Sequence, residues 1–594
     1  MSIQTLSELF CLVAERDQPQ LLLHKVDGSF RPVSAAEFSQ GVRQLAQALI
    51  DAGIQPGDRV ALMAENGVHW PTVDFAVLCL GAVLVPIYPT LTPDQAAFIA
   101  RDSEAKLIFA QDWERLEGLR EHRSSLPAVQ QMVLIGEAPA GEEVTTLEAL
   151  IAGGATVDPA EIERRARAVK AEDLATFIYT SGTTGNPKGV ELTHHNIVSN
   201  LLSSQDVLDI KTEFVALSFL PLSHSFERTV DYIYFYAGCT IAYAESVAVV
   251  AQNFLEVRPH IFVSVPRVYE KVLSRVQENI AQAPALRQKI FHWAVGVGRQ
   301  ALQWRLQGRV APGLLGIKLA LADRLVFSKI RARLGGRFVF AVSGGAPLPR
   351  EVAEFFWGAG IPIYEGYGLS ETSPVLTVNR TGAVKLGTVG RPISGVELKI
   401  AGDGEILAKG PNIMRGYHHL PEATAEAIDA EGWFHTGDIG EIDEEGFLRI
   451  TDRKKELIVN AYGKNVAPAP IENALKASPF INQAMVIGDQ RKFLSALLVP
   501  DFEALQTWAS RQGISAPDAP ELLTHGAVQK LFRSEVDAVN EKLARYEQVK
   551  AWELLGQEWT VESGELTPTM KIKRRVINKN YAAIIDGLYE KAGG

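Results

Sequence analysis

Cysteine is scarce: Cys11, Cys79 and Cys239 are the only three in 594 residues, odd in number and widely spaced. That excludes a disulfide framework and gives no metal-ligand pattern, so a reducing compartment is expected. Long apolar runs are missing too. The longest, 75–88, is interrupted by Gly81 and Pro86 and falls short of the roughly 20 residues a bilayer-spanning helix needs. A buried helix followed by a strand fits it better. Residues 1–10 have no basic stretch ahead of an apolar core, so no signal peptide is expected. Basic charge is in deficit, with 59 Lys and Arg against 70 Asp and Glu, a formal −11. This argues against a general nucleic-acid binder, while leaving room for local basic patches. There is no short-period repeat and no low-complexity tract. A cytoplasmic protein is expected, soluble or resting peripherally on the inner face of a membrane.

What is present is an ordinary globular composition, 47% hydrophobic and 22% charged, in a chain too long for a single core. Helical patterns alternate with short β-branched runs from about residue 30 to 450, as in α/β layers. Strands are expected at 59–64, 82–88, 106–110, 132–135, 214–220, 261–265, 338–342 and 361–364. A stretch rich in Ala, Leu, Gln and Arg at about 267–336 reads as a helical insertion between two sheet strands. Near Asp452 the texture changes, with a charged, exposed connection at 451–455. Beyond it come two apolar strands, 484–487 and 495–499, and an amphipathic helix at 527–544. The expected architecture is a large layered α/β domain, 1–451, followed by a smaller α+β domain, 452–594.

The most informative string is Thr180-Ser181-Gly182-Thr183-Thr184-Gly185-Asn186-Pro187-Lys188-Gly189, which follows an apolar strand-like run at 174–179. Glycines let backbone N–H groups approach an anion, hydroxyls donate to phosphate oxygens, and Lys188 adds positive charge. That chemistry suits a polyphosphate. The Walker A spacing is not met, because Pro187 precedes the lysine and Gly189 follows it. Ser343-Gly344-Gly345-Ala346-Pro347-Leu348 sits between a strand and a helix, a ligand-binding geometry at a sheet edge; a tight β–α turn is the bland alternative. Tyr364-Glu365-Gly366-Tyr367-Gly368-Leu369-Ser370-Glu371-Thr372 gathers aromatics, glycines, hydroxyls and acids into what reads as one loop. Tyr367 suits purine stacking, Ser370 a phosphate, and Glu371 a hard divalent cation. Asp438, in Phe434-His435-Thr436-Gly437-Asp438, suits two vicinal ribose hydroxyls, since a carboxylate accepts from both.

These strings, in this order, resemble the acyl-adenylate-forming superfamily, which includes acyl-CoA synthetases, luciferases and peptide-synthetase adenylation domains. The resemblance runs from roughly residue 30 to 580. It implies ATP, Mg²⁺ and CoA chemistry, with a mobile C-terminal domain. Thr180 through Gly185 with Lys188 would hold phosphates, and Gly344, Gly345, Ala346 and Pro347 one face of the adenine. Glu365, Gly366, Tyr367, Gly368 and Ser370 would complete the nucleotide site, where most members carry Thr at the position of Ser370. Glu371 and Thr180 would hold Mg²⁺, Asp438 and Arg453 would meet ribose or phosphate, and Asp452 would be the hinge. Gly463, Lys464 and Asn465 would line the CoA tunnel. Lys571, in Thr567-Pro568-Thr569-Met570-Lys571, matches the adenylation lysine, which neutralises charge as the P–O bond forms.

The strings Pro221-Leu222-Ser223-His224-Ser225-Phe226-Glu227 and Val265-Pro266-Arg267, with the helical insertion, look most like long-chain fatty acyl-CoA synthetases. His224 would lie beside the acyl carboxylate as a catalytic group, with Ser225 and Phe226 in the acyl pocket. Most of the aromatics that follow are expected to be core. The expected activity is therefore ATP-dependent ligation of a long-chain fatty acid to CoA through acyl-AMP. The rivals are an acyl-AMP ligase serving a carrier protein, a luciferase-type oxidation, and a lipid-binding or scaffold protein with a decayed site. Lys188, Glu371, Asp438, Arg453 and Lys571, all present, weigh against decay.

Overall fold

Apolar runs bounded by glycine, proline or charge become the strands of two mixed sheets in the N-terminal part of the chain. The computed structural model describes residues 3–154, 156–180, 187–246, 248–454, 456–462, 464–514, 519–567 and 571–591. It divides into two units. The first comprises Met1–Lys399, Leu407–Thr436 and Asp443–Leu448; the second comprises Ile400–Ile406, Gly437–Ile442 and Arg449–Gly594.

In the first unit one sheet runs Arg391–Pro392, Val375–Val378, Ile363–Gly368, Phe340–Ser343, Ile261–Ser264, Val215–Ser218, Thr240–Tyr243, Leu22–Val26, Ser29–Val33. Its centre is parallel and its edges antiparallel. The other runs Gly416–Tyr417, Lys188–Thr193, Leu174–Thr180, Val83–Ile87, Arg59–Met63, Leu107–Ala110, Gln131–Leu134, Thr145–Thr146. Central strands such as Val83–Ile87, Ile261–Ser264 and Phe340–Ser343 are buried at every residue. Helices cover both faces of a parallel sheet, so its strands read as unbroken apolar runs and not as alternation. This is the expected α/β layering.

Helices Pro266–Ala281, Ala285–Leu306, Gly313–Ala322 and Ser328–Ala332 fill the span between Ile261–Ser264 and Phe340–Ser343, two hydrogen-bonded neighbours in the sheet. Arg305 and Arg331 tie this helical block to the Trp357 and Ala359 carbonyls at the end of the helix Arg350–Gly358. The Ser225–Ala237 helix buries Tyr232, Tyr234 and Phe235, the aromatics assigned to core from composition. It is locked by a buried ion pair. Arg228 donates to both Asp74 oxygens, at 3.1 and 2.5 Å, and to Thr176 Oγ1 at 2.7 Å, while Tyr232 Oη donates to Asp74.

In the second unit, Leu494–Pro500 is flanked by Ile481–Ile487, antiparallel, and Val549–Leu554, parallel. Every residue of the central strand is buried: Leu494, Ala496 and Leu498 meet one apolar cluster, Leu497 and Val499 another. The Val549–Leu554 strand escapes a reading by apolar runs because Lys550 and Glu553 interrupt it. The helix spans Gly526–Asn540, ending before the expected residue 544. Asn540 turns the chain there by donating to the Val549 carbonyl and accepting from its N–H, at 2.9 and 2.8 Å.

Two local expectations need correction. The Tyr364–Thr372 string is not one loop, since the strand continues through Gly368 and only then gives way to a single turn at Ser370–Thr372. Asp452 is not on an exposed connection. It lies in the strand Leu448–Arg453 and is only 4% exposed. Charged neighbours in sequence hid an in–out alternation in which Asp452 points inward.

Candidate active site

The glycine- and hydroxyl-rich string joins two paired strands. Leu174–Thr180 pairs antiparallel with Lys188–Thr193, and Thr180 lies opposite Lys188 across the ladder. Ser181, Gly182, Thr183, Thr184 and Gly185 lie outside the described residues; Thr180 and Lys188 are described. A third strand, Gly416–Tyr417, pairs with the returning one. It brings the Tyr417 ring under Lys188, whose Nζ stands 4.7 Å from the ring centroid. On its other end Tyr417 Oη donates to Glu371 Oε1 at 3.0 Å. Burial, and then the Glu371 charge, raises the Tyr417 phenol far above its ordinary range, so it remains a donor. Lys188, Tyr417 and Glu371 thus form one connected group.

Glu371 sits on the turn after Gly368, and this turn is held from three sides. Met414 N–H donates to the Glu371 carbonyl at 2.8 Å. Asn412 Nδ2 donates to the Thr372 carbonyl at 2.7 Å. Asn200 Nδ2 donates to the Val375 carbonyl at 2.7 Å and its Oδ1 accepts from Val375 N–H. Asn200 is fully buried on the helix His194–Leu208. Gly368 is compelled by crowding, since a Cβ there would lie 1.8 Å from the Pro374 carbonyl oxygen. Gly366 and Tyr367 pair with Val378 and Thr377 on the same strand.

The acyl-pocket candidates join this group directly. Ser225 Oγ and Ser370 Oγ are 3.2 Å apart. His224 caps the Ser225–Ala237 helix, its Nδ1 accepting from Phe226 N–H at 3.0 Å. An accepting Nδ1 fixes the neutral ring's proton on Nε2, making that nitrogen a donor suited to a carboxylate. The ring of Tyr88 lies edge-on to it at 6.4 Å. Phe226 packs against the glycine turn: a Cβ on Gly344 would come within 2.9 Å of its ring. Gly345 has φ +80°, the left-handed region glycine favours. Ser343 pairs with Glu365 across neighbouring strands, which puts the Ala346–Pro347 turn beside the Tyr367 strand. Burial raises the Glu365 carboxyl to about 8, against the opposing pull of the Leu348 and Gly387 N–H groups.

The remaining candidates belong to the second unit. Arg453 Nε lies 3.2 Å from Asp438 Oδ1, and Asp438 is buried. Asp452 Oδ1 accepts from the Arg453 N–H at 2.5 Å, and burial raises the carboxyl to about 6. Nearby, Arg574 makes a two-pronged pair with Glu472, both at 2.7 Å. Lys571 is exposed, its N–H donating to Thr567 Oγ1 at 3.0 Å. Lys464 N–H donates to Asn460 Oδ1 at 3.0 Å; Gly463 and the Asn465 side chain lie outside the described residues.

Residue-by-residue reading missed Tyr417, Asn200 and Asn412. Tyr417 sits in Arg415-Gly416-Tyr417-His418, an unremarkable surface-like string. Asn200 gives a weak signal, as a polar residue on the inward stripe of an apolar helix.

The sequence matches the family of AMP-binding enzymes over residues 14–418, and its C-terminal domain over 455–593. The chain belongs to the AMP-binding enzyme family. Among its relatives is the long-chain-fatty-acid–CoA ligase FadD15 of Mycobacterium tuberculosis, 40% identical over 97% of this chain and 96% of that protein. Another is the human long-chain-fatty-acid–CoA ligase ACSBG1, 33% identical over 94% of this chain and 81% of that protein. Among solved structures, the adenylation domain of a carboxylate reductase from Mycobacterium chelonae superposes with a TM-score of 0.77. It covers 99% of this chain and 91% of that one at 24% identity, and so shares the two-domain fold. The candidate site residues of this AMP-binding enzyme lie mainly near the carboxyl ends of its sheet strands, where such folds bind ligands.

Proposed function

We propose that this protein is an ATP- and Mg²⁺-dependent long-chain fatty acid:CoA ligase. The observation that carries the reading is the connected group of Lys188, Tyr417 and Glu371, with Ser370 and Ser225 in contact beside it. These contacts link the cation that would bind phosphate, the carboxylate that would bind metal and the head of the candidate acyl pocket. Two relatives named as long-chain ligases, matched over 97% and 94% of this chain, support the acyl class.

In the first step a fatty-acid carboxylate oxygen attacks the α-phosphorus of ATP, forming acyl-AMP and releasing pyrophosphate. His224 Nε2–H orients the carboxylate, Ser370 donates to the α-phosphate, and Lys571 neutralises the charge that builds there. Tyr367 and the Gly344–Pro347 turn hold the adenine; Asp438 and Arg453 meet the ribose. Among the described residues no three His, Cys, Asp or Glu side chains cluster as a metal cage. Glu371, a carboxylate on a hydrogen-bonded turn, would hold Mg²⁺ with Thr180 and the nucleotide's own phosphates. Bound there, the ion would neutralise phosphate charge. In the second step the CoA sulfur attacks the acyl carbonyl carbon and AMP leaves. Lys571 has then withdrawn by rotation about Asp452, and Gly463, Lys464 and Asn465 line the path of the pantetheine arm. The acyl chains concerned partition into bilayers, so peripheral contact with a membrane is part of the reading.

The test is product analysis by mass spectrometry with a ladder of fatty acids, ATP and either CoA or a carrier protein. Acyl-CoA, AMP and pyrophosphate in equal amounts, lost on chelation of Mg²⁺ and greatest with long acids, are expected. Acyl transfer to the carrier alone would overturn the assignment.

A further inference from the structure

The helical block between Ile261–Ser264 and Phe340–Ser343 combines a basic sequence with exposed apolar side chains. Between Pro284 and Arg337 there are eleven Lys and Arg and a single acid, Asp323, in a chain of formal charge −11. That acid is already taken by Arg331, at 2.6 Å. Within the block the backbone is helical from Gly313 through Ala332. One side of this helix is docked: Ala322 and Phe327 are buried, with Leu315, Leu319 and Ile330 packed around them. The other side is apolar too, yet stands in water. Leu314, Ile317, Leu321 and Leu325 are 66, 69, 49 and 38% exposed, and Val310, just ahead of the helix, is 90% exposed. Spacings of three, four and four put the four helical residues on one stripe, about 16 Å long at 1.5 Å per residue. Lys318 and Arg324, both exposed, fall on opposite flanks of it at helical spacing. A contiguous apolar stripe left in water marks an interaction surface.

We propose that this stripe docks the enzyme on an anionic phospholipid surface. The helix would lie in the headgroup plane, with Leu314, Ile317, Leu321 and Leu325 immersed and the basic flanks against lipid phosphates. Its amphipathic pattern, apolar stripe and cationic margins, is that of an interfacial helix. Charge complementarity decides between occupants. A second copy related by a twofold axis would set this strongly basic face against itself, whereas an anionic leaflet attracts each cation near it. The proposal rests on the ligase reading for its purpose, access to a membrane-dissolved acid, but its test needs no turnover.

The full-length protein is sedimented with vesicles of phosphatidylcholine alone and of equimolar phosphatidylcholine and phosphatidylglycerol. Binding to the anionic vesicles is expected, weaker at high salt as screening shortens its reach. Ile317→Glu/Leu321→Glu should abolish it. Lys318→Glu/Arg324→Glu should weaken it on the order of tenfold or more. Ligation of a water-soluble shorter acid serves as the control: unchanged turnover in both variants shows an intact fold, and its absence in the parent protein counts against the ligase reading alone. A parent protein that ignores anionic vesicles, or variants that bind them equally, would overturn the proposal. So would variants whose only change is loss of a dimer in analytical ultracentrifugation, which would assign the stripe to self-association.

Discussion

Each candidate residue acts through the environment that its neighbours impose. Lys571→Ala should lose acyl-AMP formation while keeping thioester formation from supplied acyl-AMP. Removing one such stabiliser costs about 100- to 1,000-fold in rate; equal loss of both half-reactions would point to another lysine. Tyr417→Phe keeps the ring beneath Lys188 and removes the hydroxyl that reaches Glu371. It should raise the Mg²⁺ concentration needed for half-maximal adenylation with little change in fatty-acid KM; an unaltered metal titration would leave Tyr417 as packing only. Glu365 gives a pH signature. Its folded carboxyl titrates at about 8, above the roughly 4.3 of an unfolded chain. The neutral form is therefore favoured by folding. The stabilisation is complete below about pH 4 and is lost as pH rises through about 8. Glu365→Gln stays neutral throughout, so the parent Tm should fall relative to the variant between about pH 5 and 8. A gap that does not change with pH would contradict the burial argument.

At the scale of elements, Asp452 shows how a strand changes an expectation. As a residue of an exposed connection it would accept proline and report on domain rotation. As a buried residue of the strand Leu448–Arg453, it is expected to be disrupted by proline, which removes an N–H and fixes φ. Asp452→Pro should lower Tm and depress pyrophosphate exchange and thioester formation together. A variant as stable as its parent would contradict the buried strand placement; separate loss of one half-reaction in it would then report the proposed pivot at this residue directly. The glycine and hydroxyl strings stood out as candidate ligand-binding segments because anion and purine binding use contiguous backbone, which a sequence displays directly. The strand through Gly368 was not, because Glu365, Gly366 and Gly368 have poor strand propensity. Pairing with Val375–Val378 overrides it.

For the whole molecule, the three thiols give a simple measure of integrity. Cys11, Cys79 and Cys239 are free and buried, and burial raises all three above the ordinary thiol range. A thiol reagent should find almost none in the native protein and three after unfolding, with Tm indifferent to reductant. Rapid modification of the native chain would mean that these cores open readily.

The amino-acid sequence by itself determined the layered α/β class, the helical insertion, the family and most site candidates. These depend on periodicity and on short strings whose chemistry is local. Only the tertiary structure decided which of them meet. Glu371 and Tyr417 are separated by 46 residues, and Asn200 and Val375 by 175. No local pattern encodes such pairs, because hydrogen-bond partners are selected by the packing of strands and helices that lie far apart in the chain. The same holds for Asp452 and for the Leu314–Leu325 stripe. Whether a carboxylate is buried, or a leucine stands in water, is fixed by what packs against it.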